Sequence, residues 1–313
     1  MFEKLPRKVK VVEVGMRDGL QNEKNFIPTQ EKIRLINMLN QTGLEQIEIT
    51  SFVSPKWIPQ LADSLEVAVS IERSQNITYS ALVPNNRGLD SAQATGIKEV
   101  VFFLSASESH SQKNINKSVK EAIRIGKEVI NQALSVNIKV RANLSTVFGC
   151  PFDGPTESQK VLEICQELLS AGVYEVAISD TTGVANPKQV SDVVNFLSHD
   201  IDLNKIAVHF HDTRGSGLAN ALAALQCGIS TFDSSFGGLG GCPFAPGASG
   251  NIATEDLVYM FHGMGVKTGI NLNKLVDCSR YAQKLLERKL PSKYLQASTF
   301  ACDEVIAWTK DYL

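Results

Sequence analysis

Two histidines at the end of a short apolar run have the spacing of a metal site. His209 and His211 close a run of strand character at residues 205–210. Side chains alternate between the two faces of a strand, so both imidazoles point one way while Val208 and Phe210 point the other. Two imidazoles at this spacing can bind one divalent cation through neutral nitrogens. A lone histidine on a strand is more often a hydrogen-bonded core residue, but the same-face pair favours a metal site that a carboxylate elsewhere completes.

The carboxylate for this site is predicted near the start of the chain. Arg17 and Asp18 follow strand-like residues 9–14 and are bracketed by Gly15 and Gly19. The two glycines allow a turn to aim each charged side chain independently. The alternative is an exposed ion pair, which is common on protein surfaces and contributes little to stability. The local sequence leaves both interpretations open.

A glycine-rich segment at residues 237–251, with the sequence GGLGGCPFAPGASGN, contains one cysteine and one asparagine. Glycines let the backbone adopt positive φ or approach a ligand closely, and the two prolines restrict the conformations available to it. This composition predicts a loop that closes over a ligand and presents Cys242 and Asn251. The alternative is a glycine-rich turn with an incidental buried cysteine.

Eight short β-rich runs alternate with amphipathic segments, which predicts an α/β fold, a (β/α)8 TIM barrel with additional C-terminal helices. The predicted strands are residues 10–14, 46–50, 77–83, 99–104, 138–144, 175–179, 205–210 and 231–234. The predicted helices include residues 29–42, 118–135, 157–171, 187–197 and 218–227. Thr29 is the predicted N-cap of the first helix and Gly43 ends it. We assign residues 1–271 to the barrel domain and residues 272–313 to a C-terminal helical extension packed on the barrel, with Trp308 and Tyr312 as its anchors.

The barrel prediction explains where the reactive side chains fall in the sequence, because barrel active sites lie at the C-terminal ends of the strands. Glu48 alternates with Ile47 and Ile49, so it is predicted to face into the barrel, where a carboxylate requires a partner. A structural ion pair with an arginine is its alternative role. Asp180 follows the predicted strand at residues 175–179, with a parity that places it beyond the regular strand.

Composition narrows the classes of protein that the chain can belong to. With 313 residues, 43% of them hydrophobic and 20% charged, it can bury one sizeable core. With a net charge of −2, the chain lacks the excess of positive charge that is typical of proteins that bind nucleic acid or an anionic membrane. No signal-peptide core and no apolar run of membrane-spanning length is present. This absence predicts a cytoplasmic protein. The six cysteines lack CxxC spacing, which argues against a zinc ribbon or a disulfide framework.

With these residues assembled, the sequence resembles the 3-hydroxy-3-methylglutaryl-CoA (HMG-CoA) lyase family. This family belongs to a superfamily of metal-dependent barrels that make or break carbon–carbon bonds next to a carbonyl. The resemblance covers nearly the whole barrel and rests on residues 17–21, 49–55, 179–183, 209–212 and 237–256. The Arg-Asp and His-x-His elements are shared across the superfamily, whereas the Gly-Gly-Cys-Pro loop points to the lyases.

The resemblance implies a metal site. It assigns Mg²⁺ or Mn²⁺ to Asp18, His209, His211 and Asn251, with open positions for the oxygens of the substrate. Mixed nitrogen and oxygen ligation suits either ion. His209 is counted among the catalytic residues as well as among the ligands.

The resemblance also implies roles for four further residues. Arg17 faces the thioester carbonyl, and Glu48 orients or supports the site. Asp180 lies beside the metal ligands, and Cys242 delivers or removes a proton. Cys302, near the C-terminus, lies in no motif of the family.

The implied reaction is cleavage of HMG-CoA to acetyl-CoA and acetoacetate, so the expected partner is an acyl-CoA substrate and neither nucleic acid nor membrane. One alternative is a lyase for a longer 3-hydroxy-3-alkylglutaryl-CoA. A condensing enzyme of the isopropylmalate synthase type usually carries a sizeable C-terminal regulatory domain, which the C-terminal extension is too short to form. A non-catalytic metal-binding scaffold is the alternative from another class. Barrels of this size often pair, so a homodimer is expected by default.

Overall fold

The computed structural model describes residues 5–242 and 245–298, with residues 242 and 245–249 described by their backbone alone. Eight parallel strands in this part of the chain form a closed barrel in sequential order. The barrel closes where the eighth strand pairs with the first, with Val12 opposite Asp233. The strands are β1 Lys10–Glu13, β2 Gln46–Ser51, β3 Thr78–Leu82, β4 Glu99–Ser105, β5 Lys139–Ser145, β6 Glu175–Asp180, β7 Ile206–Phe210 and β8 Thr231–Ser234. The predicted TIM barrel is therefore confirmed.

The helices follow the strands and cover the outside of the barrel. They are α1 Thr29–Leu39, α2 Ser64–Ser70, α3 Asn86–Ala94, α4 Glu108–Ile115, α5 Val119–Ser135, α6 Ser158–Ser170, α7 Pro187–Ser198, α8 Gly217–Gln226 and α9 Thr254–Gly263. Two further helices, α10 Leu272–Leu286 and α11 Lys293–Ala297, follow the barrel. No helix in the described ranges has the length and apolar character that crossing a membrane requires.

The first helix begins at Thr29 as predicted, but its N-cap and its C-terminal end were predicted wrongly. The N-cap residue is Pro28, and no side chain caps the helix, so Thr29 is its first helical residue. The helix ends at Leu39 because the chain tightens there, with the Thr42 N–H and the Thr42 hydroxyl both donating to the Leu39 carbonyl. The predicted Gly43 stop therefore lies beyond the end of the helix.

The two faces of the barrel strands differ sharply in polarity. Most outward side chains are apolar and pack under the helices, as Ile47, Val100 and Phe210 illustrate. The inward positions hold polar and charged residues, namely half-buried Lys10 and the buried residues Gln46, Glu48, Glu99, Arg141, Glu175, His209 and Asp233. TIM-barrel interiors are more often filled by branched apolar side chains. A buried charge is costly unless it is paired, so this interior requires a network of ion pairs.

The glycine-rich segment was predicted as a loop, and the structure gives part of it regular pairing. A short strand β9 Gly241–Cys242 pairs antiparallel with β10 Ala245–Ser249. Gly237 adopts a φ of 65°, and a Cβ there would lie 2.3 Å from a methyl carbon of Leu290. Glycine is therefore required where the segment leaves β8. The Cys242 side chain lies outside the described residues.

The C-terminal helices pack on the barrel through α1 and α9. The Tyr281 hydroxyl bonds the Glu31 carboxylate of α1. At the start of α11, the Asp256 carboxylate accepts hydrogen bonds from the Ser292 hydroxyl at 2.8 Å and the Tyr294 N–H at 2.7 Å. The predicted anchors Trp308 and Tyr312, and also Cys302, lie outside the described residues.

Candidate metal centre and active site

The two histidines are placed at the C-terminal mouth of the barrel by β7. His209 is inside the strand and His211 directly follows it, and their ring centroids are 5.3 Å apart. The chain after β10 runs alongside the end of β7. There the backbones of Asn251 and His211 form an isolated antiparallel β-bridge, and the Asp212 N–H donates to the Gly250 carbonyl at 2.7 Å. This pairing brings the end of the glycine-rich segment next to the histidines.

Asp18 reaches the same point from a tight turn after β1. The N–H groups of Arg17, Asp18 and Gly19 all lie within hydrogen-bonding distance of the Val14 carbonyl, at 2.7 to 3.3 Å. A Cβ on Gly19 would lie 2.8 Å from the Leu239 Cβ, so the turn packs closely on the glycine-rich segment. One ligand atom each of Asp18, His209 and His211 lie within 4.8 Å of one another.

Asn251 completes this cluster. Its amide nitrogen donates to Asp18 Oδ2 at 2.9 Å and to the Leu239 carbonyl at 3.1 Å. Its amide oxygen and the Nδ1 atom of His211 are both buried without a hydrogen-bond partner in the described part of the chain. Buried polar atoms without partners are rare in native proteins and point to a bound ion or water. The four side chains therefore fit a divalent cation, although this donor set does not identify the metal.

The surroundings of the cluster shift the pKa values of Asp18 and His211 in the directions that favour cation binding. Burial alone would raise the pKa of Asp18, but Arg17 and the two imidazoles lower it to about 2. Burial and the neighbouring His209 lower the pKa of His211 to about 4. At neutral pH Asp18 is therefore ionised and His211 is neutral, which are the protonation states that bind metal.

Arg17 lies beside the cluster and is held rigidly. Its Nε donates to Glu48 Oε1 at 2.6 Å, its Nη2 to Glu48 Oε2 at 3.3 Å, and its Nη1 to Asp18 Oδ1 at 2.6 Å. Glu48 has no solvent exposure, and it faces the barrel interior as its alternation with isoleucines predicted. The ion pair that was the alternative role of Glu48 is thus present, and its partner is an arginine of the site.

Asp180 differs from the other candidates in where its carboxylate points. Oδ1 accepts from the Val184 N–H at 2.9 Å and Oδ2 from the Ala185 N–H at 3.0 Å, so both oxygens hold the loop after β6. Asp180 is also the last residue of β6, whereas the sequence placed it beyond the strand. Burial raises the pKa of Asp180, although the two backbone hydrogen bonds and the nearby His209 oppose the shift, and its predicted place beside the metal ligands stays a prediction.

Two buried carboxylates that the sequence analysis did not identify hold the start of the glycine-rich segment. Glu13 accepts from the Gly15 N–H at 2.8 Å, the Phe236 N–H at 2.9 Å and the Thr254 hydroxyl at 2.7 Å. Glu255 accepts from the Gly237 N–H and the Ser279 hydroxyl. Glu13 therefore joins the Arg17–Asp18 turn to the glycine-rich segment. Its only sequence signal is an acidic residue at an outward, otherwise apolar position of β1.

Glu13 also gives a test of these contacts through pH. Burial raises the pKa of Glu13 to about 8, from 4.5 in the unfolded chain, although three hydrogen bonds oppose the shift. The stability that its proton supplies is fully present below pH 4.5 and is lost as pH rises towards about 8. Glu13→Gln removes this titration, so its free energy of unfolding relative to the unsubstituted protein should increase between pH 5 and pH 8. Urea denaturation at both pH values, with exposed Glu66→Gln as control, measures this; parallel pH profiles would contradict it.

Fold and site together define the class of this protein: a (β/α)8 barrel with a candidate divalent-metal centre at the C-terminal ends of its strands. The model of the HMGL-like family matches residues 8–281. The chain belongs to this family, and it is an enzyme of the lyase type, as the resemblance of its motifs predicted.

Relatives of known name match over nearly the full chain. A Bacillus subtilis protein named hydroxymethylglutaryl-CoA lyase YngG is 52% identical over 291 residues, covering 93% of this chain and 97% of that protein. The mitochondrial hydroxymethylglutaryl-CoA lyase of Homo sapiens is 49% identical over 294 residues, covering 94% and 90%. An Acinetobacter baumannii HMG-CoA lyase, solved in complex with coenzyme A and 3-methylmalate, superposes with a TM-score of 0.90 at 41% identity, covering 95% and 97%.

Proposed function

We propose that this chain is a hydroxymethylglutaryl-CoA lyase that cleaves HMG-CoA to acetyl-CoA and acetoacetate, and that it uses Mg²⁺ or Mn²⁺. The observation that carries the proposal is the cluster of half-buried Asp18 with buried His209, His211 and Asn251, and the Arg17 guanidinium directly beside it. The relatives named above support the substrate, since one of them was solved with coenzyme A bound.

The reaction breaks the C2–C3 bond of a tertiary β-hydroxy thioester. The C3 hydroxyl gives its proton to solvent and becomes the ketone of acetoacetate, while the electron pair of the broken bond passes to the acetyl-CoA enolate. Asp18, His209, His211 and Asn251 would hold the divalent cation, and when bound it would lower the pKa of the substrate hydroxyl. Carboxylate, imidazole and amide donors suit Mg²⁺ or Mn²⁺.

Arg17 stabilises the charge that develops on the thioester oxygen. A guanidinium has five N–H groups, and three of them are used by Glu48 and Asp18. The two that remain, one on each Nη, can face the substrate. Because Glu48 fixes the guanidinium before the substrate binds, little reorganisation is needed in the transition state.

The enolate carbon then requires a proton, and we assign this step to Cys242. A thiol with a pKa near 8.5 is suited to proton transfer near neutral pH. Cys242 carries the only ionisable side chain between residues 237 and 251. Gly241–Cys242 pairs with β10, and Asn251 follows β10 by two residues, so this pairing keeps the segment close to Asn251 in the fold.

Cys242→Ala tests this step. We expect turnover to be lost while folding and metal binding are retained, and we expect alkylation of unsubstituted protein to inactivate it faster as pH rises through the thiol pKa. Substrate should protect against alkylation. Cys227→Ala, at the end of α8, is the matched control and should behave as the unsubstituted protein. A well-folded Cys242→Ala protein with normal kcat would remove this residue from the mechanism.

The acyl group is tested by comparing HMG-CoA with longer 3-hydroxy-3-alkylglutaryl-CoA esters under added Mg²⁺. A higher kcat/KM for HMG-CoA supports the proposal, and a higher value for a longer ester identifies the alternative lyase. No product from any ester by a folded, metal-loaded protein would identify a non-catalytic scaffold.

Three further properties belong to the proposal. The chain divides into a barrel domain, 1–271, and a C-terminal extension, 272–313; the packing of α10 on α1 supports this division, and residues 299–313 lie outside the described part of the chain. The protein is a homodimer, which light scattering of the purified chain tests. It is located in the cytoplasm, as the scattered cysteines suggest, and fractionation of the source cells tests this location.

A further inference from the structure

His209, a ligand of the proposed metal centre, makes a second contact that neither metal binding nor the proposed reaction explains. His209 Nδ1 lies 3.3 Å from Asp233 Oδ2, and both side chains are buried. The contact follows from the barrel register, because β7 and β8 place His209 directly opposite Asp233. The other ring nitrogen, Nε2, faces Asp18 Oδ2 at 3.9 Å. The two nitrogens of one imidazole therefore face two different carboxylates.

Asp233 is itself fixed by a buried arginine. Arg141 Nη2 donates to Asp233 Oδ1 at 2.7 Å and Nη1 to Oδ2 at 3.1 Å. Arg141 Nε donates to Glu175 at 2.7 Å, and Glu175 pairs with Lys10 at 3.2 Å. Charges thus alternate in sign from Asp233 through Arg141 and Glu175 to Lys10. A bidentate pair of this kind gives both strength and geometric specificity.

The pair determines what Asp233 can do to the histidine. Both Asp233 oxygens accept from the buried Arg141 guanidinium, and this bidentate ion pair is formed by an ionised carboxylate. An ionised carboxylate only accepts hydrogen bonds. The proton of a neutral His209 must then be on Nδ1, and the lone pair must be on Nε2, towards Asp18.

We infer that Asp233 is a positioning residue of the metal centre, which holds His209 in the Nδ1–H tautomer and presents Nε2 to the cation, while Arg141 holds Asp233. The inference rests on the proposed metal site and deepens it. Metal-bound histidines commonly donate their second N–H to a carboxylate, and loss of that partner weakens metal affinity about 10–100-fold.

Asp233→Asn separates this role from simple filling of space, because asparagine has nearly the same shape. An amide has one acceptor atom where the carboxylate has two. If its oxygen faces Arg141 Nη2, its NH₂ group faces His209 Nδ1 and Arg141 Nη1, and two donors then oppose each other. His209 is expected to move its proton to Nε2, which removes the lone pair that the cation requires.

The first test uses the unsubstituted protein, so it does not depend on whether a variant folds. The chain has five histidines, and selective ¹⁵N labelling with His209→Gln for assignment resolves the signal of His209. At alkaline pH, where the ring is neutral, we expect ¹⁵N shifts of the Nδ1–H tautomer. An Nε2–H tautomer would overturn the inference.

The second test measures Mn²⁺ binding by electron paramagnetic resonance, without substrate. Asp233→Asn should bind Mn²⁺ about 10–100-fold more weakly than the unsubstituted protein. Glu99→Gln is the control, because Glu99 is also a buried carboxylate of the barrel interior but its hydrogen bonds are with Gln46 and Tyr174. It should bind Mn²⁺ normally.

Equal Mn²⁺ affinity in folded Asp233→Asn would overturn the inference, and so would an equal loss in Glu99→Gln. Neither result depends on HMG-CoA cleavage. A protein that shows the expected tautomer and Mn²⁺ affinities but cleaves no ester would contradict the proposed function alone.

Discussion

Arg17→Gln is expected to lower kcat by a factor of about 10²–10³ or more, the loss that follows removal of one preorganised oxyanion donor. The structure explains why a guanidinium is needed here. Arg17 contacts Glu48 and Asp18 at the same time and keeps two N–H groups for the substrate. Glutamine cannot make these contacts from one position, and it carries no positive charge. Steady-state kinetics with HMG-CoA measures the effect, which we expect on kcat more than on KM.

This variant requires a control, because it leaves Glu48 buried without its partner. Truncating one partner of a buried ion pair is destabilising, and burial favours the protonated form of Glu48, whose pKa is already raised. The double variant Arg17→Gln/Glu48→Gln removes the unpaired charge and should recover stability without recovering kcat. A single variant that keeps kcat and only raises KM would show that Arg17 binds the ground state alone.

His211→Ala is expected to weaken Mg²⁺ and Mn²⁺ binding by about 100-fold or more. Loss of a direct ligand should exceed the loss of a residue that only hydrogen-bonds a ligand, which weakens binding about 10–100-fold. His211 is suited to ligation because its lowered pKa keeps it neutral and its Nδ1 has no partner among the described residues. Isothermal titration with Mn²⁺ measures the loss.

Activity of this variant should be lost at metal concentrations that saturate the unsubstituted protein. His199→Ala is the matched control, because His199 is exposed at the end of α7, and it should bind metal normally. Full activity of His211→Ala, in protein shown to be metal-free by elemental analysis, would remove His211 from the metal centre.

The sequence predicted the parts of this site that depend on local periodicity. The two-residue repeat of a strand is enough to place His209 and His211 on one face and to turn Glu48 inward. Alternation of strands and amphipathic segments is likewise a local property, and it predicted the barrel. Local sequence left Asp18 open between a metal ligand and a surface ion pair, and the resemblance to the family assigned it to the metal.

The parts that the sequence missed depend on closure of the barrel. Asp233 contacts His209 only because β8 lies beside β7, and Arg141 reaches Asp233 across the interior from β5. The spacing of residues along the sequence does not show which side chains meet across the barrel interior, so these contacts could not be predicted from it. Glu13 is a similar case, since its partner Phe236 is 223 residues away along the chain.

Asp180 shows a different limit of sequence reasoning. Its motif resembles that of the family, but the side chain is turned by two backbone N–H groups of the loop that follows it. Short acidic side chains often bond backbone groups a few residues ahead in this way. Residue type and position therefore predicted a carboxylate near the site without predicting which atoms it contacts.

The most direct test of the central proposal is product formation by metal-free and metal-restored protein. The purified chain is freed of metal with a chelator, verified by elemental analysis and assayed with HMG-CoA for acetyl-CoA and acetoacetate. We expect no products without metal, and equal amounts of both products once Mg²⁺ or Mn²⁺ is returned. Undiminished cleavage by the metal-free protein, or no cleavage by the restored protein, would contradict the proposal that this barrel is a metal-dependent HMG-CoA lyase.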